Sequence, residues 1–224
     1  MDEEQFMLDT VAKITPAQQE QIVNIFHEFI DLEHLYTSAA EIVKTQLSIY
    51  DSEFSVKFKR NPIHSIESRI KTPQSIVGKL QKKGLELSAK SAQNNLMDIA
   101  GVRVICYYID DIYAISELLA LQGEYKIVKI KDYIKNPKPS GYRSLHVILM
   151  VPVYRATQKS EVPVEIQIRT IAMDFWASLE HQLHYKTKSA VPESLKQKLH
   201  QCAEIIAETD LRMQDIYDQI NELE

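Results

Sequence analysis

A basic segment between residues 69 and 82 has the residue types and spacing of a phosphate-binding site. Residues 64–71 alternate between apolar and polar, which predicts a half-buried strand with Arg69 and Lys71 on one face. The helix predicted after Thr72-Pro73 places three polar side chains on one face, at i, i+4 and i+7: Ser75, Lys79 and Lys82. A helix N-terminus also attracts anions, although this segment lacks the glycines of a Walker loop. The alternative is an exposed amphipathic helix with ordinary lysines.

Two acidic residues lie in or beside predicted buried strands, where they could hold a metal ion or accept a proton. Asp98 immediately precedes one strand, and Glu165 lies in another, where it shares one face with Gln167 and Arg169. Two carboxylates can bind Mg²⁺ together with phosphate oxygens, and one carboxylate can act as a general base. Arg103 offers a planar guanidinium that could lie against a nucleobase. The alternatives are a helix-end acid, an edge arginine and ion pairs between neighbouring strands.

The segment from residue 135 to residue 146 reads as a basic loop that leads into a strand. Tyr142 could stack on a nucleobase, and Lys135, Lys138 and His146 could bind phosphate. Taken alone, this loop would be interpreted by default as a surface loop with a tyrosine anchor. The presence of two basic clusters in the chain, each next to Gly, Ser or Tyr, favours a site.

The charge distribution favours a compact polyanion site. The net charge is −5, which argues against a general nucleic-acid binder. Residues 1–53 hold eleven acidic and two basic residues, and residues 192–224 hold eight and three, so the middle of the chain is basic. The basic residues concentrate at 57–83 and 129–143. Lysines and arginines on solvated faces are the alternative for either cluster alone.

Hydrophobic periodicity predicts an α/β (α+β) fold in which helices flank a mixed β-sheet, with long helices at both ends of the chain. One or two helices are predicted within 17–50. The further predicted helices lie at about 73–83, 110–122 and 171–187, and the predicted strands at about 64–71, 101–108, 124–131, 143–153 and 162–169.

The final helix, predicted from about Pro192 almost to the end of the chain, has apolar positions at a/d spacing. They are Leu199, Cys202, Ile206, Thr209, Met213, Ile216, Ile220 and Leu223. This stripe either packs on the N-terminal helices of the same chain or forms a subunit interface. The two interpretations carry equal weight.

Cysteine usage and hydropathy predict a cytoplasmic protein. The two cysteines, Cys106 and Cys202, fall in a predicted strand and a predicted helix and read as reduced thiols. No apolar run approaches the length of a membrane span, and the acidic N-terminus is unlike a signal peptide. We therefore expect no membrane association.

Read in order, five motifs resemble the RelA/SpoT-type (p)ppGpp synthetases, and most closely the small, stand-alone alarmone synthetases. They are SRIK, DIAGVRVI, KIKDYIKNPKPSGYRSLH, VEIQIRT and AMDFWASLEHQLHYK, and they extend from about Arg69 to Lys186. The resemblance implies a nucleotidyltransferase-like fold and transfer of the ATP β,γ-pyrophosphate to the 3′-hydroxyl of GDP or GTP. It implies an N-terminal helical segment (1–53), a synthetase domain (54–190) and a C-terminal helix (191–224), without the hydrolase and regulatory domains of long family members.

The resemblance also implies roles for individual residues. Arg69 and Arg103 match the pair that sandwiches adenine, and the ATP phosphates would be bound by Lys71, Ser75, Lys79 and Lys82. Asp98 and Glu165 match the magnesium-related acids, with Glu165 also the base for the 3′-hydroxyl. The acceptor-side matches are Tyr142, which stacks on guanine, together with His146, Gln167, Lys135 or Lys138, and Asp174, which stands where some relatives have asparagine.

The resemblance further implies a homo-oligomer, with a tetramer favoured. Lys129 to Asp132 is similar to a motif linked in larger relatives to GDP over GTP. Some small relatives instead pyrophosphorylate adenine nucleotides or the tRNA 3′ end, so RNA is an alternative acceptor or a regulator. A non-catalytic nucleotide- or RNA-binding module is the remaining hypothesis, and the presence of both acids argues against it.

Overall fold

The computed structural model describes residues 15–186 and 191–223, apart from the side chains of residues 16–22, 25–26 and 184–186. Within this part of the chain there are six helices and five strands. The helices are α1 (Pro16–Phe58), α2 (Pro73–Lys82), α3 (Ala89–Asn95), α4 (Ile109–Leu121), α5 (Ile171–Lys186) and α6 (Glu193–Asn221). The strands are β1 (Ile63–Ile70), β2 (Ala100–Cys106), β3 (Lys126–Asp132), β4 (Leu145–Tyr154) and β5 (Lys159–Thr170).

The predicted mixed sheet is confirmed. Its strand order is β1-β2-β5-β4-β3. Strands β2 and β5 are parallel, whereas β1 pairs with β2, β5 with β4, and β4 with β3 in antiparallel fashion. All predicted helices and strands are present, and most ends differ by a few residues. The segment 17–50 belongs to one helix, which continues to Phe58. Helix α3 was not predicted, although Ser88 caps it by accepting a hydrogen bond from the Ser91 N–H (3.1 Å).

The chain divides into two compact units. The described residues of the first are 15–35 and 71–96. Thr72 is the N-cap of α2, with Pro73 at the first helical position, as predicted, and Gly84 follows the helix in a left-handed conformation (φ 66°). Ile76 and Leu80 are buried. The Lys83 ammonium donates to the Asn95 carbonyl (3.3 Å), which joins α2 to the end of α3.

The second unit comprises residues 36–70 and the described residues from 97 onward, and it contains the whole sheet. One sheet face is apolar: Val164, Ile166 and Ile168 of β5 are fully buried. The part of α1 within this unit contacts helix α4, since the Tyr50 hydroxyl donates to the Leu118 carbonyl (3.1 Å). The core is thus built on one face of the sheet, which leaves the opposite face for polar side chains.

Helix α6 packs through a face that the apolar periodicity did not predict. Its buried residues are Ala203, Asp210 and Gln214. The buried Thr170 hydroxyl, at the end of β5, donates to Asp210 Oδ2 (2.5 Å), and the Asp110 N–H donates to Gln214 Oε1 (3.1 Å). Of the predicted stripe, Leu199 and Ile206 are half-buried and the remaining described positions are exposed. Most of the apolar stripe therefore faces away from the chain's own core.

The start of α4 is fixed by a bidentate ion pair. Arg60 donates from both terminal nitrogens to the Asp111 carboxylate, and Asp111 Oδ2 also accepts the Tyr108 N–H (3.2 Å). The Arg60 guanidinium lies 4.9 Å from the ring centre of Tyr217 of α6, which stacks on Tyr108 at 4.1 Å. The buried Asp111 carboxylate thus connects the segment after α1 with the cap of α4, and its partners Arg60 and Tyr108 contact Tyr217 near the end of α6.

We expect Asp111→Ala to lower the free energy of unfolding by about 3 kcal/mol, because it leaves a partly buried guanidinium without its counter-ion. Chemical denaturation monitored by circular dichroism measures the change. Glu117→Ala, at an exposed position of the same helix, is the control and should change stability by less than about 0.5 kcal/mol. Equal effects of the two substitutions would contradict the assigned role of Asp111.

Candidate active site

The polar face of the sheet brings together side chains from four strands. Register pairs Glu67 with Arg103, Arg103 with Gln167, and Gln167 with His146. Because laterally paired residues share a face, these four side chains form one row across β1, β2, β5 and β4. In the next row Gly101 lies opposite Glu165. The predicted alternation in β5 is confirmed, and it places Glu165 beside this row.

The Glu165 carboxylate is held by two neighbours. His146 Nδ1 lies 3.3 Å from Oε1, and Gln167 Nε2 donates to Oε2 (3.0 Å). Since a carboxylate can only accept, Nδ1 carries the proton. The hydrogen bond from His146 is the main cause that holds the pKa of Glu165 below its usual value, against the opposing effects of burial and of the Asp98 charge. Glu165 is therefore ionised and oriented, as a general base must be.

A closed ring of hydrogen bonds connects Glu165 to Arg169. Arg169 Nη2 donates to the Tyr142 hydroxyl (3.0 Å) and to Gln167 Oε1 (2.6 Å). The Tyr142 hydroxyl lies 2.8 Å from His146 Nε2, and in the tautomer set by Glu165 it donates a hydrogen bond to that nitrogen. Two routes thus run from one guanidinium to the two carboxylate oxygens, one through Tyr142 and His146 and one through Gln167.

Arg169 is a residue of this site whose importance sequence reasoning missed. Its place on the strand face was predicted, but no role was assigned to it. The residue is 5% exposed, and its two terminal nitrogens donate to Asp174, Tyr142 and Gln167. The signal available in the sequence was its i+2 and i+4 spacing from Gln167 and Glu165 on one strand.

Asp174, near the start of α5, contacts two arginines. Its Oδ1 accepts a hydrogen bond from Arg169 Nη1 (3.0 Å) and lies 3.7 Å from Arg103 Nη1. Arg103 Nη1 also lies 3.8 Å from Glu67 Oε2. One carboxylate therefore joins the arginine expected beside adenine to the arginine beneath Tyr142.

The loop before β4 carries the remaining predicted acceptor residues. Asp132 Oδ1 accepts the N–H groups of residues 134 and 135 (both 2.9 Å), which shapes the start of the loop. The Lys138 ammonium lies 4.4 Å from the Tyr142 ring centre, next to the site. The Lys135 ammonium lies instead near Asp132 (3.7 Å) and 4.8 Å from the Tyr113 ring centre. Lys138 is thus the better placed of the two alternatives.

The predicted ATP residues divide between the two compact units. Arg69 is exposed on β1, opposite Gly101. Lys71, Ser75, Lys79 and Lys82 belong to the first unit, where Ser75 Oγ lies 2.9 Å from Thr72 Oγ1 at the capped start of α2. Ser75, Lys79 and Lys82 lie on the side of α2 away from buried Ile76 and Leu80. Their joint action on phosphate stays a prediction.

The acidic residues present fit a divalent cation that is shared with phosphate. Among the residues that the structure describes, no group of three or more His, Cys, Asp and Glu side chains could hold a metal ion. Asp98 and Glu165 are close enough for the Asp98 charge to raise the pKa of Glu165, and a cation between them would relieve that repulsion. Mg²⁺ commonly takes one or two carboxylates and completes its shell with water and phosphate oxygens.

Comparison with known proteins places this geometry in a family. Residues 68–190 match the model described as the region found in RelA / SpoT proteins. The GTP pyrophosphokinase YwaC of Bacillus subtilis is 44% identical over 187 residues, which cover 84% of this chain and 89% of YwaC. The chain belongs to the RelA/SpoT family. The GTP pyrophosphokinase YjbM of the same organism is 34% identical over 187 residues, or 84% of this chain and 87% of YjbM.

Solved structures of this family share the fold. Small alarmone synthetase 1 from Bacillus subtilis, bound to its product pppGpp, superposes with a TM-score of 0.77 at 34% identity and covers 83% of this chain and 94% of its own. Small alarmone synthetase 2 from the same organism gives a TM-score of 0.75 at 44% identity, with 83% and 96% covered. The five-stranded mixed sheet is therefore that of the small alarmone synthetases.

We expect His146→Phe to raise the pKa of Glu165, because it removes the main hydrogen bond to the carboxylate and leaves only the hydrogen bond from Gln167 to oppose the effect of burial. A titration of the ¹³C-labelled glutamate carboxyl carbons by NMR measures this pKa directly, without substrate. His64→Phe, at an exposed position of β1, is the control and should leave it unchanged. An unaltered Glu165 titration in His146→Phe would contradict the assigned hydrogen bond.

Proposed function

We propose that this protein is a GTP pyrophosphokinase, which transfers the β,γ-pyrophosphate of ATP to the 3′-hydroxyl of GDP or GTP and produces AMP with ppGpp or pppGpp. The observation that carries the proposal is the ionised Glu165, fixed by His146 and Gln167 on the polar sheet face. Family membership and the GTP pyrophosphokinases among its relatives support the same reaction.

The reaction needs one proton acceptor and accurate alignment of two nucleotides. Glu165 removes the proton from the acceptor 3′-hydroxyl as the oxygen forms a bond to the β-phosphorus of ATP. The bond between that phosphorus and the bridging oxygen of the α-phosphate breaks, and AMP leaves with that oxygen. Most of the rate enhancement comes from alignment and charge neutralisation.

On the donor side, Arg69 and Arg103 would hold the adenine between two guanidinium planes. The contacts of Arg103 with Glu67 and Asp174 support its part, because they hold the guanidinium on the polar face. The ATP phosphates would be bound by Lys71, which precedes α2, and by Ser75, Lys79 and Lys82 of α2. Mg²⁺, held by Asp98 and Glu165, would offset the charge that develops on the transferred phosphates.

On the acceptor side, Tyr142 would stack on guanine, and His146, Gln167 and Lys138 or Lys135 would contact the rest of the nucleotide. Asp174 would accept from the guanine N1–H and amino group. The ring of hydrogen bonds supports this arrangement, since it already orders Tyr142, His146 and Gln167 beside one another on the polar sheet face.

We expect Glu165→Gln to lower kcat by about two to four orders of magnitude, because the amide cannot accept the proton. The assay incubates protein with ATP, Mg²⁺ and GDP, GTP or tRNA, and resolves the products by anion exchange. Glu161→Gln, on the same strand and exposed beside Lys159, should keep full activity. Normal turnover by Glu165→Gln would contradict the role of Glu165, and labelling of tRNA instead of GDP would identify a different acceptor.

The proposal includes a homo-oligomer, with a tetramer favoured, in the cytoplasm. The exposed apolar residues of α5 and α6 support self-association, because large exposed apolar patches mark interaction surfaces. They include Phe175, Leu179, Met213, Ile216 and Ile220. In the described part of the chain, no helix combines the length and hydropathy of a membrane span.

We expect the double substitution Met213→Glu and Ile216→Glu to reduce the number of subunits, because it buries charges in the proposed interface. Size-exclusion chromatography with light scattering measures the mass. Lys198→Glu, at an exposed position of the same helix, should not alter it. An unchanged mass in the double variant would exclude this stripe as an interface.

A further inference from the structure

Three consecutive residues of the loop that carries Tyr142 contact helix α6 or the cluster built on it. We propose that α6 is part of the acceptor site. Its residues Ala203 and Glu204 are positioning residues that hold the turn at 141–143, and with it Tyr142, where the acceptor base stacks. The inference rests on the proposed function, in which Tyr142 binds the acceptor.

Gly141 sits against α6 so closely that no other residue fits. Its backbone has φ 90°, a region that favours glycine, and the residue is buried. A Cβ at this position would meet the Ala203 Cβ at less than the separation that real Cβ atoms keep, and would lie 3.3 Å from His200 Nδ1. The backbone of Gly141, the first residue of the turn, therefore packs directly against helix α6.

Arg143 fastens the other end of the turn to the same helix. Its Nη2 donates to Glu204 Oε1 (2.9 Å), and its Nη1 donates to the Gly141 carbonyl (3.1 Å) and reaches the Ala203 carbonyl (3.5 Å). The hydrogen bond from Arg143 also holds the pKa of Glu204 below its usual value. One guanidinium thus links both ends of the turn to α6.

Tyr142 itself packs against a cluster that α6 helps to form. Its ring lies on the buried cluster of Trp176, Ala177 and Ala203. Trp176 Nε1 donates to the Leu199 carbonyl (3.1 Å), so α5 and α6 are joined at this place. Together with its hydroxyl contacts to His146 and Arg169, this packing fixes the ring at both ends.

A displacement of α6 at Ala203 would therefore move Tyr142 before it moved the donor-side residues. A misplacement of about 1 Å in a binding group can cost up to about a hundredfold in rate. The contacts predict a selective effect, in which the affinity for the acceptor falls while the affinity for ATP is kept. A helix that served stability alone would not distinguish the two substrates.

The test is a cycle of wild type, Gly141→Ala, Ala203→Gly and the double variant. We expect Gly141→Ala to raise KM for GDP by about tenfold or more and KM for ATP by less than about twofold. In the double variant the Cβ added at position 141 no longer contacts a Cβ at position 203. The KM for GDP should therefore return most of the way to the wild-type value. Gly84→Ala also places an alanine at a positive φ (66°) but without a neighbour within 4 Å, and it should not change KM for GDP.

A milder pair of variants covers the case in which Gly141→Ala fails to fold. Glu204→Gln weakens the contact with Arg143, and because Glu204 is about half exposed we expect it to fold normally. It should raise KM for GDP several-fold without changing KM for ATP. Glu208→Gln, which affects the exposed pair with Arg212 on the same helix, is its matched control and should change neither.

Three outcomes would overturn the proposal: no recovery in the double variant, equal increases in both KM values, or an unchanged KM for GDP in Gly141→Ala and Glu204→Gln. Calorimetric titration with GDP separates this proposal from the proposed function. A wild type that binds GDP but makes no product contradicts the function, and the binding constants of the variants then decide the role of α6. A wild type that does not bind GDP overturns both.

Discussion

The candidate active site depends on one buried cation, the guanidinium of Arg169. Arg169 has several N–H donors in a fixed plane and is almost inaccessible to water, so each donor bond it makes constrains the acceptor's position. Tyr142, Gln167 and Asp174 are those acceptors. Where water is excluded, these hydrogen bonds are stronger, and a buried polar group left without a partner costs more free energy. The guanidinium therefore orders residues that are far apart in the chain, and through two of them it fixes Glu165.

The sheet makes this arrangement possible because its two faces differ. Along β5 the even-numbered residues Val164, Ile166 and Ile168 belong to the core, and the intervening positions belong to the site. The core thus holds the strand register, and the register sets the spacing of the side chains proposed for catalysis. The parallel pairing of β2 with β5 has a second consequence. It places Gly101 opposite Glu165, so that Asp98, three residues earlier, lies near the same carboxylate.

Local patterns were enough to predict the elements other than α3 and the two faces of β1, β2 and β5, but not the partners of buried polar groups. The alternation in β5 and the Thr72-Pro73 cap are local, and both predictions are confirmed. Arg169 was assigned to the correct face, yet its role depends on Tyr142 and Asp174, which follow only from tertiary structure. The packing of α6 was missed for a related reason. Asp210 and Gln214 can be buried because they accept hydrogen bonds from Thr170 and Asp110. The apolar periodicity of the sequence cannot predict such polar pairs.

Asp174 contacts two arginines that border the two proposed nucleotide subsites. The resemblance predicted that it faces guanine, and the structure gives it contacts with Arg103 and Arg169, both through Oδ1. A carboxylate has about four lone-pair positions, so two arginines do not exhaust its capacity to accept hydrogen bonds from a base. An asparagine would offer a single acceptor oxygen and no charge. The aspartate thus stabilises the arginine proposed for adenine and the arginine that orients Tyr142, and its charge links the geometry of the two proposed subsites.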